Sequence, residues 1–70
     1  METRYRVTGM TCDHCVAHVT EEVSSIPGVG KVDVRLEGTM VVESEAPIDF
    51  PAIEEAVAEA GDYTVTPENL

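Results

Sequence analysis

Two cysteines, Cys12 and Cys15, stand three positions apart in the run Gly9-Met10-Thr11-Cys12-Asp13-His14-Cys15, and the chain has no others. Thiolates are soft ligands that select Cu(I), Zn(II) and similar ions. Sulfurs at this spacing, placed across a loop-to-helix junction, can turn toward one point. The free N–H groups and dipole at a helix start favour negative charge, and therefore thiolate over thiol. The Asp13 carboxylate works against this unless its side chain turns away or caps the helix. Ligand number then separates the candidate metals. A structural zinc site wants four closed ligands, and here there are two sulfurs and one neighbouring imidazole, His14. Cu(I) accepts two-coordination. A two-sulfur site also stays open to a thiolate from a partner, which a protein that hands its ion onward requires.

Other chemistry fits the pair less well. A thioredoxin-type redox site is disfavoured because the chain is short and no proline follows Cys12. No base–nucleophile–orienter set accompanies the cysteines, so the sequence does not read as an enzyme. Oxidation would still give a disulfide that blocks metal uptake. His14 is most simply a solvated imidazole; the alternative is a third ligand, or a brake on release. His18, one turn after Cys15, has an alternative reading as an auxiliary ligand. Met10 and Met40 read as packing residues despite the affinity of thioethers for Cu(I). Tyr5, Phe50 and Tyr63 read as core or core-edge residues.

The elements that must position the cysteines follow from periodicity. Residues 3–8 alternate, with Tyr5 and Val7 on one side and Arg4, Arg6 and Thr8 on the other, which predicts a strand. Gly9 to His14 form a loop. A helix is expected from Asp13 or His14 to about Ser25, with Val16, Val19, Val23 and Ile26 as one apolar stripe. Pro27-Gly28 stops it. Val32, Val34 and Leu36 alternate with Lys31, Asp33 and Arg35 as a second strand. Glu37-Gly38 is a hairpin-type turn. Thr39 to Glu43 make a third strand, with Met40 and Val42 inward and Val41 outward. Asp49 is placed to cap a second helix that has Pro51 in its first turn and Glu54 and Glu55 near its positive end. Ile53, Ala56, Val57 and Ala60 form its buried stripe, and Gly61 ends it. Tyr63 to Thr66 alternate as a last strand, with Tyr63 and Val65 on one side.

Strand, helix, strand, strand, helix, strand is the split βαβ pattern. The expected fold is α+β and ferredoxin-like, a four-stranded antiparallel sheet with two helices on one face, in a single domain over residues 1–70. Seventy residues leave no room for a second domain or a deep cleft. No apolar run approaches the length of a membrane span, so no membrane insertion is expected. Met1 to Val7 is charged and polar, unlike a secretory signal, and the expected location is the cytosol. Met1 and the complete element pattern favour a full-length product.

Fourteen acids against four bases give a net charge of −10. All four bases (Arg4, Arg6, Lys31, Arg35) fall in residues 1–35, while residues 36–70 carry nine acids and no base. Nucleic-acid binding lacks its basic footprint. Two readings of the acidity stand side by side: a solubilising surface tuned to a salty cytosol, and steering toward a basic partner. The Glu54, Glu55 and Glu59 face of the second helix is most simply solvated, with docking as its alternative.

The run Gly9-Met10-Thr11-Cys12-Asp13-His14-Cys15 resembles the GMTCxxC signature of the heavy-metal-associated domain, and length, element order and motif position match along the whole chain. That family occurs as small copper chaperones and as amino-terminal modules of copper-transporting P-type ATPases. The resemblance implies a βαββαβ fold, Cu(I) bound by Cys12 and Cys15, and Met10 as a buried anchor of the loop. It also implies metal transfer through a thiolate-bridged complex with a similar domain, such as that of a copper-transporting P-type ATPase. A monomer without metal and a metal-bridged dimer both fit. A module for zinc, cadmium, mercury or silver, alone or within a transporter or reductase, is the alternative; Asp13 suits Zn(II) as a harder ligand. A thiol redox or regulatory protein is a third reading. One departure stands out. Bacterial chaperones of the family usually place a Tyr directly after the glycine that ends the second helix. Here Asp62 holds that place and Tyr63 follows, so either the loop has one extra residue or Tyr63 belongs to the sheet.

Overall fold

The computed structural model describes residues 1–68. Strand β1 (Glu2–Thr8) leads to helix α1 (Asp13–Ser24), strands β2 (Val29–Val34) and β3 (Thr39–Ser44), helix α2 (Phe50–Ala60) and strand β4 (Thr64–Pro67). The strands form one sheet in the order β2-β3-β1-β4, and every neighbouring pair is antiparallel. This is the expected ferredoxin-like arrangement.

Period-two alternation decides which side of the sheet is covered. Tyr5 and Val7 of β1, Val34 of β2, Met40 and Val42 of β3 and Val65 of β4 are buried, while Arg4, Arg6, Asp33, Glu43, Thr64 and Thr66 between them are exposed. Both helices lay their apolar stripes on that buried side. Val19 and Val23 of α1 join Ile53, Ala56 and Val57 of α2 in the same core cluster as the inward strand residues. Val16, Ile26 and Ala60 close the edges of the core, half-buried. The rings of Tyr5 and Phe50 stack with centroids 6.1 Å apart, fastening the start of α2 to β1.

Several boundaries differ from the sequence reading. β2 begins at Val29, because one extra residue, Gly30, is accommodated as a register shift between Val29 and Lys31 against β3, and it ends at Val34. Leu36, expected on the inner face, is 47% exposed. It sits in the turn Arg35–Gly38, where the Gly38 N–H donates to the Arg35 carbonyl at 2.9 Å and the Arg35 N–H donates to the Thr39 carbonyl at 2.8 Å. Asp49 is the N-cap residue of α2, yet its side chain makes no capping bond; its backbone carbonyl accepts from Ala52 N–H at 3.0 Å instead. Pro51 lies in the first turn as expected, whereas Glu54 and Glu55 fall beyond it. Tyr63 precedes β4 rather than belonging to it.

Candidate metal centre

The loop from β1 reaches α1 through Gly9, Met10 and Thr11. Met10 is half-buried and packs against the core, which ties the loop down. Cys12 is the N-cap residue of α1, with extended backbone (φ −156°, ψ 171°), and its carbonyl accepts the N–H groups of Cys15 at 3.0 Å and Val16 at 3.4 Å. Asp13 is therefore the first helical residue and not the cap. This turn is the physical reason for the spacing. An N-cap side chain and the one three residues on face each other across the open end of a helix, so Cys12 and Cys15 converge.

Their Sγ atoms lie 3.6 Å apart. That is far beyond the roughly 2.05 Å of a disulfide, and both cysteines are free. Metal–sulfur bonds of about 2.3 Å allow two sulfurs on one ion to sit up to about 4.6 Å apart, so the observed separation lets both touch a single ion. Cys12 is exposed and Cys15 half-buried, which leaves the pair open to solvent on one side.

Cys15 is poised as a thiolate. Its pKa is lowered to about 6, first by the influence of the Tyr63 hydroxyl, then by the backbone of Thr11 and of Cys12, and by the Cys12 thiol. Donors that favour the charged form lower an acid's pKa. The Thr11 hydroxyl also stands 3.9 Å from Cys15 Sγ. The pKa of the Tyr63 hydroxyl is pushed up in return, chiefly by Cys15 and further by burial and the nearby negative charge of Cys15, Cys12 and Asp62. Tyr63 thus keeps its proton and remains a donor.

The position of Tyr63 answers the question left by Asp62. The Tyr63 N–H donates to the Gly61 carbonyl at 2.9 Å, a tight turn that absorbs the extra residue and returns the ring to the cysteines. Two glycines make room for that ring. A Cβ at Gly61 would come within 2.8 Å of Tyr63 Cε2, and one at Gly9, whose φ is +105°, within 3.2 Å of Tyr63 Cδ1. Reading Tyr63 as a strand residue from its alternation with Val65 missed this. The available signal was the glycine two positions before it, paired with the glycine that opens the cysteine loop.

Among the described residues, no three His, Cys, Asp or Glu side chains converge to hold a metal ion together. His14, His18 and Asp13, each exposed on α1, therefore do not complete a closed three- or four-ligand set with the sulfurs.

The sequence profile of the heavy-metal-associated domain matches residues 4–62. The chain belongs to the heavy-metal-associated family. This is a family of metal-binding modules, not of enzymes. The heavy-metal-associated chain is similar to the copper chaperone CopZ of Enterococcus hirae, with 41% identity over 63 residues that cover 87% of this chain and 91% of that protein. It is also 40% identical over 70 residues to part of a probable copper-exporting P-type ATPase of Archaeoglobus fulgidus, covering 97% of this chain and 9% of the ATPase. Among solved structures, a CopZ metallochaperone superposes with a TM-score of 0.83 at 28% identity, covering 94% of this chain and 100% of that one. No helix among the described residues is long and apolar enough to cross a membrane.

Proposed function

We propose that this protein is a cytosolic copper chaperone, in which Cys12 and Cys15 hold Cu(I) as cargo and pass it by thiolate exchange to a similar domain of a copper-transporting P-type ATPase. The observation that carries the reading is the pair of unbonded Sγ atoms 3.6 Å apart at the exposed start of α1. Two soft sulfurs in an open site suit a soft ion that accepts two ligands. A closed zinc tetrahedron needs two further ligands. The similarity to a copper chaperone along nearly its full length, and to a segment of a copper-exporting ATPase, supports both the ion and the class of partner.

Transfer is ligand exchange without change of oxidation state. A partner thiolate would form a third sulfur–copper bond and one of the two chain sulfurs would leave; a second partner thiolate would displace the other, and the released thiolates are free to take protons. The low pKa of Cys15 keeps that sulfur deprotonated for capture near neutral pH.

Anaerobic Cu(I) titration against a competing chelator tests the reading. One tightly held ion per chain is expected, with affinity falling by orders of magnitude in Cys12→Ser and in Cys15→Ser while the far-ultraviolet circular dichroism stays unchanged. Undiminished affinity in either variant would refute it. Preferential retention of Zn(II) over Cu(I) under reducing conditions would replace copper with zinc as the cargo.

A further inference from the structure

Helix α1 carries two imidazoles that the sulfur pair leaves unused. His14 and His18 lie four residues apart within Asp13–Ser24 and both are exposed. Residues at this spacing are neighbours on one helix face, with Cβ atoms about 5–6 Å apart. Ala17, between them in sequence, is exposed and small, so no large side chain crowds the approach. His18 also borders a hollow of about 350 Å³ between α1 and α2, whose other walls are Glu21, Glu22, Glu59 and Ala60. Neither helix carries a Lys or Arg; the four bases lie on β1, on β2 and in the turn after it. Both imidazoles therefore face solvent, and His18 does so beside three carboxylates, with no basic side chain on either helix to offset them.

We propose that His14 and His18 form a second metal site, which takes a divalent ion suited to imidazole: Cu(II), Ni(II) or Zn(II). Imidazole nitrogen is a borderline ligand that these ions prefer, whereas the sulfur pair selects softer ions. A formed helix holds both rings on one face in advance, so the second nitrogen binds with little further ordering. Glu21, Glu22 and Glu59 contribute negative potential that concentrates cations at the hollow, and water completes the coordination shell. One helix thus carries two sites of different chemistry: sulfurs at its start and nitrogens along its exposed side. This inference stands independently of what the cysteines bind.

The test uses the Cys12→Ser/Cys15→Ser double variant, which removes the sulfur site and the thiols that would reduce Cu(II). Cu(II) is titrated with electron paramagnetic resonance and Ni(II) with calorimetry. Saturable binding of one ion per chain is expected, with nitrogen hyperfine structure from two imidazoles. That binding should be lost when either His14→Ala or His18→Ala is added. In the protein with both cysteines, His18→Ala should leave the Cu(I) titration unchanged. Absence of saturable binding in the double variant, or the same binding after either histidine is removed, would overturn the site.

Discussion

Replacing Tyr63 by Phe removes one hydroxyl and leaves the ring between Gly9 and Gly61. Because that hydroxyl is the largest influence on Cys15, the titration midpoint of Cys15 in Tyr63→Phe should rise from about 6 toward the ordinary thiol value of about 8.5. Thiolate absorbance and the rate of alkylation, followed across pH, read this directly; an unmoved midpoint would assign the effect to the backbone donors of Thr11 and Cys12 instead. The same shift has a consequence for stability. A group whose pKa is lower in the folded chain stabilises the fold fully above its unfolded pKa, and the contribution disappears as pH falls through the folded value. For Cys15 the window runs from about 8.5 down to about 6. The melting temperature of the reduced, metal-free protein should therefore fall across that window by more than it does in Cys15→Ser.

At the scale of elements, helix and strand patterns carry unequal weight at their middles and their ends. Ile53 sits in the middle of α2 with no exposed surface, and Ile53→Ala should cost about 2–5 kcal/mol through lost burial and the cavity left behind. Leu36, expected inside but held outward by the Arg35–Gly38 turn, should tolerate Ala within about 0.5 kcal/mol. Denaturant unfolding of the two variants separates these outcomes. The contrast also marks how far the sequence was legible. The stripes Val19–Val23 and Ile53–Ala56–Val57, and the alternation of Tyr5 with Val7 and of Met40 with Val42, were readable because burial follows period. The end of β2 and the start of β4 were not, because a turn hydrogen bond at Gly38 and a tight turn at Gly61 overrode an apparently continuing alternation. Cys12 and Cys15 were readable as a pair because the open end of a helix brings those two positions together wherever it forms. The place of Tyr63 stayed open between a longer loop and the sheet, because packing of its ring against Gly9, at the other end of the chain, decides it.

On the scale of the whole molecule, the charges are sorted by face. Arg4 and Lys31 share a hollow on the open side of the sheet with Glu2, Asp33 and Glu43. Arg6 approaches Glu37 at 3.8 Å and Glu68 at 3.5 Å, and Arg35 approaches Asp33 at 3.4 Å. Such exposed pairs contribute about 0–1 kcal/mol each. The helix side carries Glu21, Glu22, Glu54, Glu55 and Glu59 without a base on either helix. With a net charge of −10, this uncompensated repulsion should be relieved by screening. The melting temperature should rise as KCl is raised from about 0.01 M, where the Debye length is about 30 Å, to about 1 M, where it is about 3 Å. A melt highest at low salt would show that the attractive pairs on the sheet outweigh the repulsion between the helices.

The sequence by itself determined the architecture and the sulfur pair, because both depend on short-range regularities: period two, period 3.6, and the geometry of a helix start. Only the tertiary structure decided what surrounds the sulfurs. The hydroxyl that lowers the pKa of Cys15 comes from Tyr63, forty-eight positions away, and it arrives there because the sheet lays β4 beside β1 and so brings Gly61 and Gly9 to either side of one aromatic ring. Contacts of that kind are set by packing between distant segments, and no local pattern along the chain encodes them.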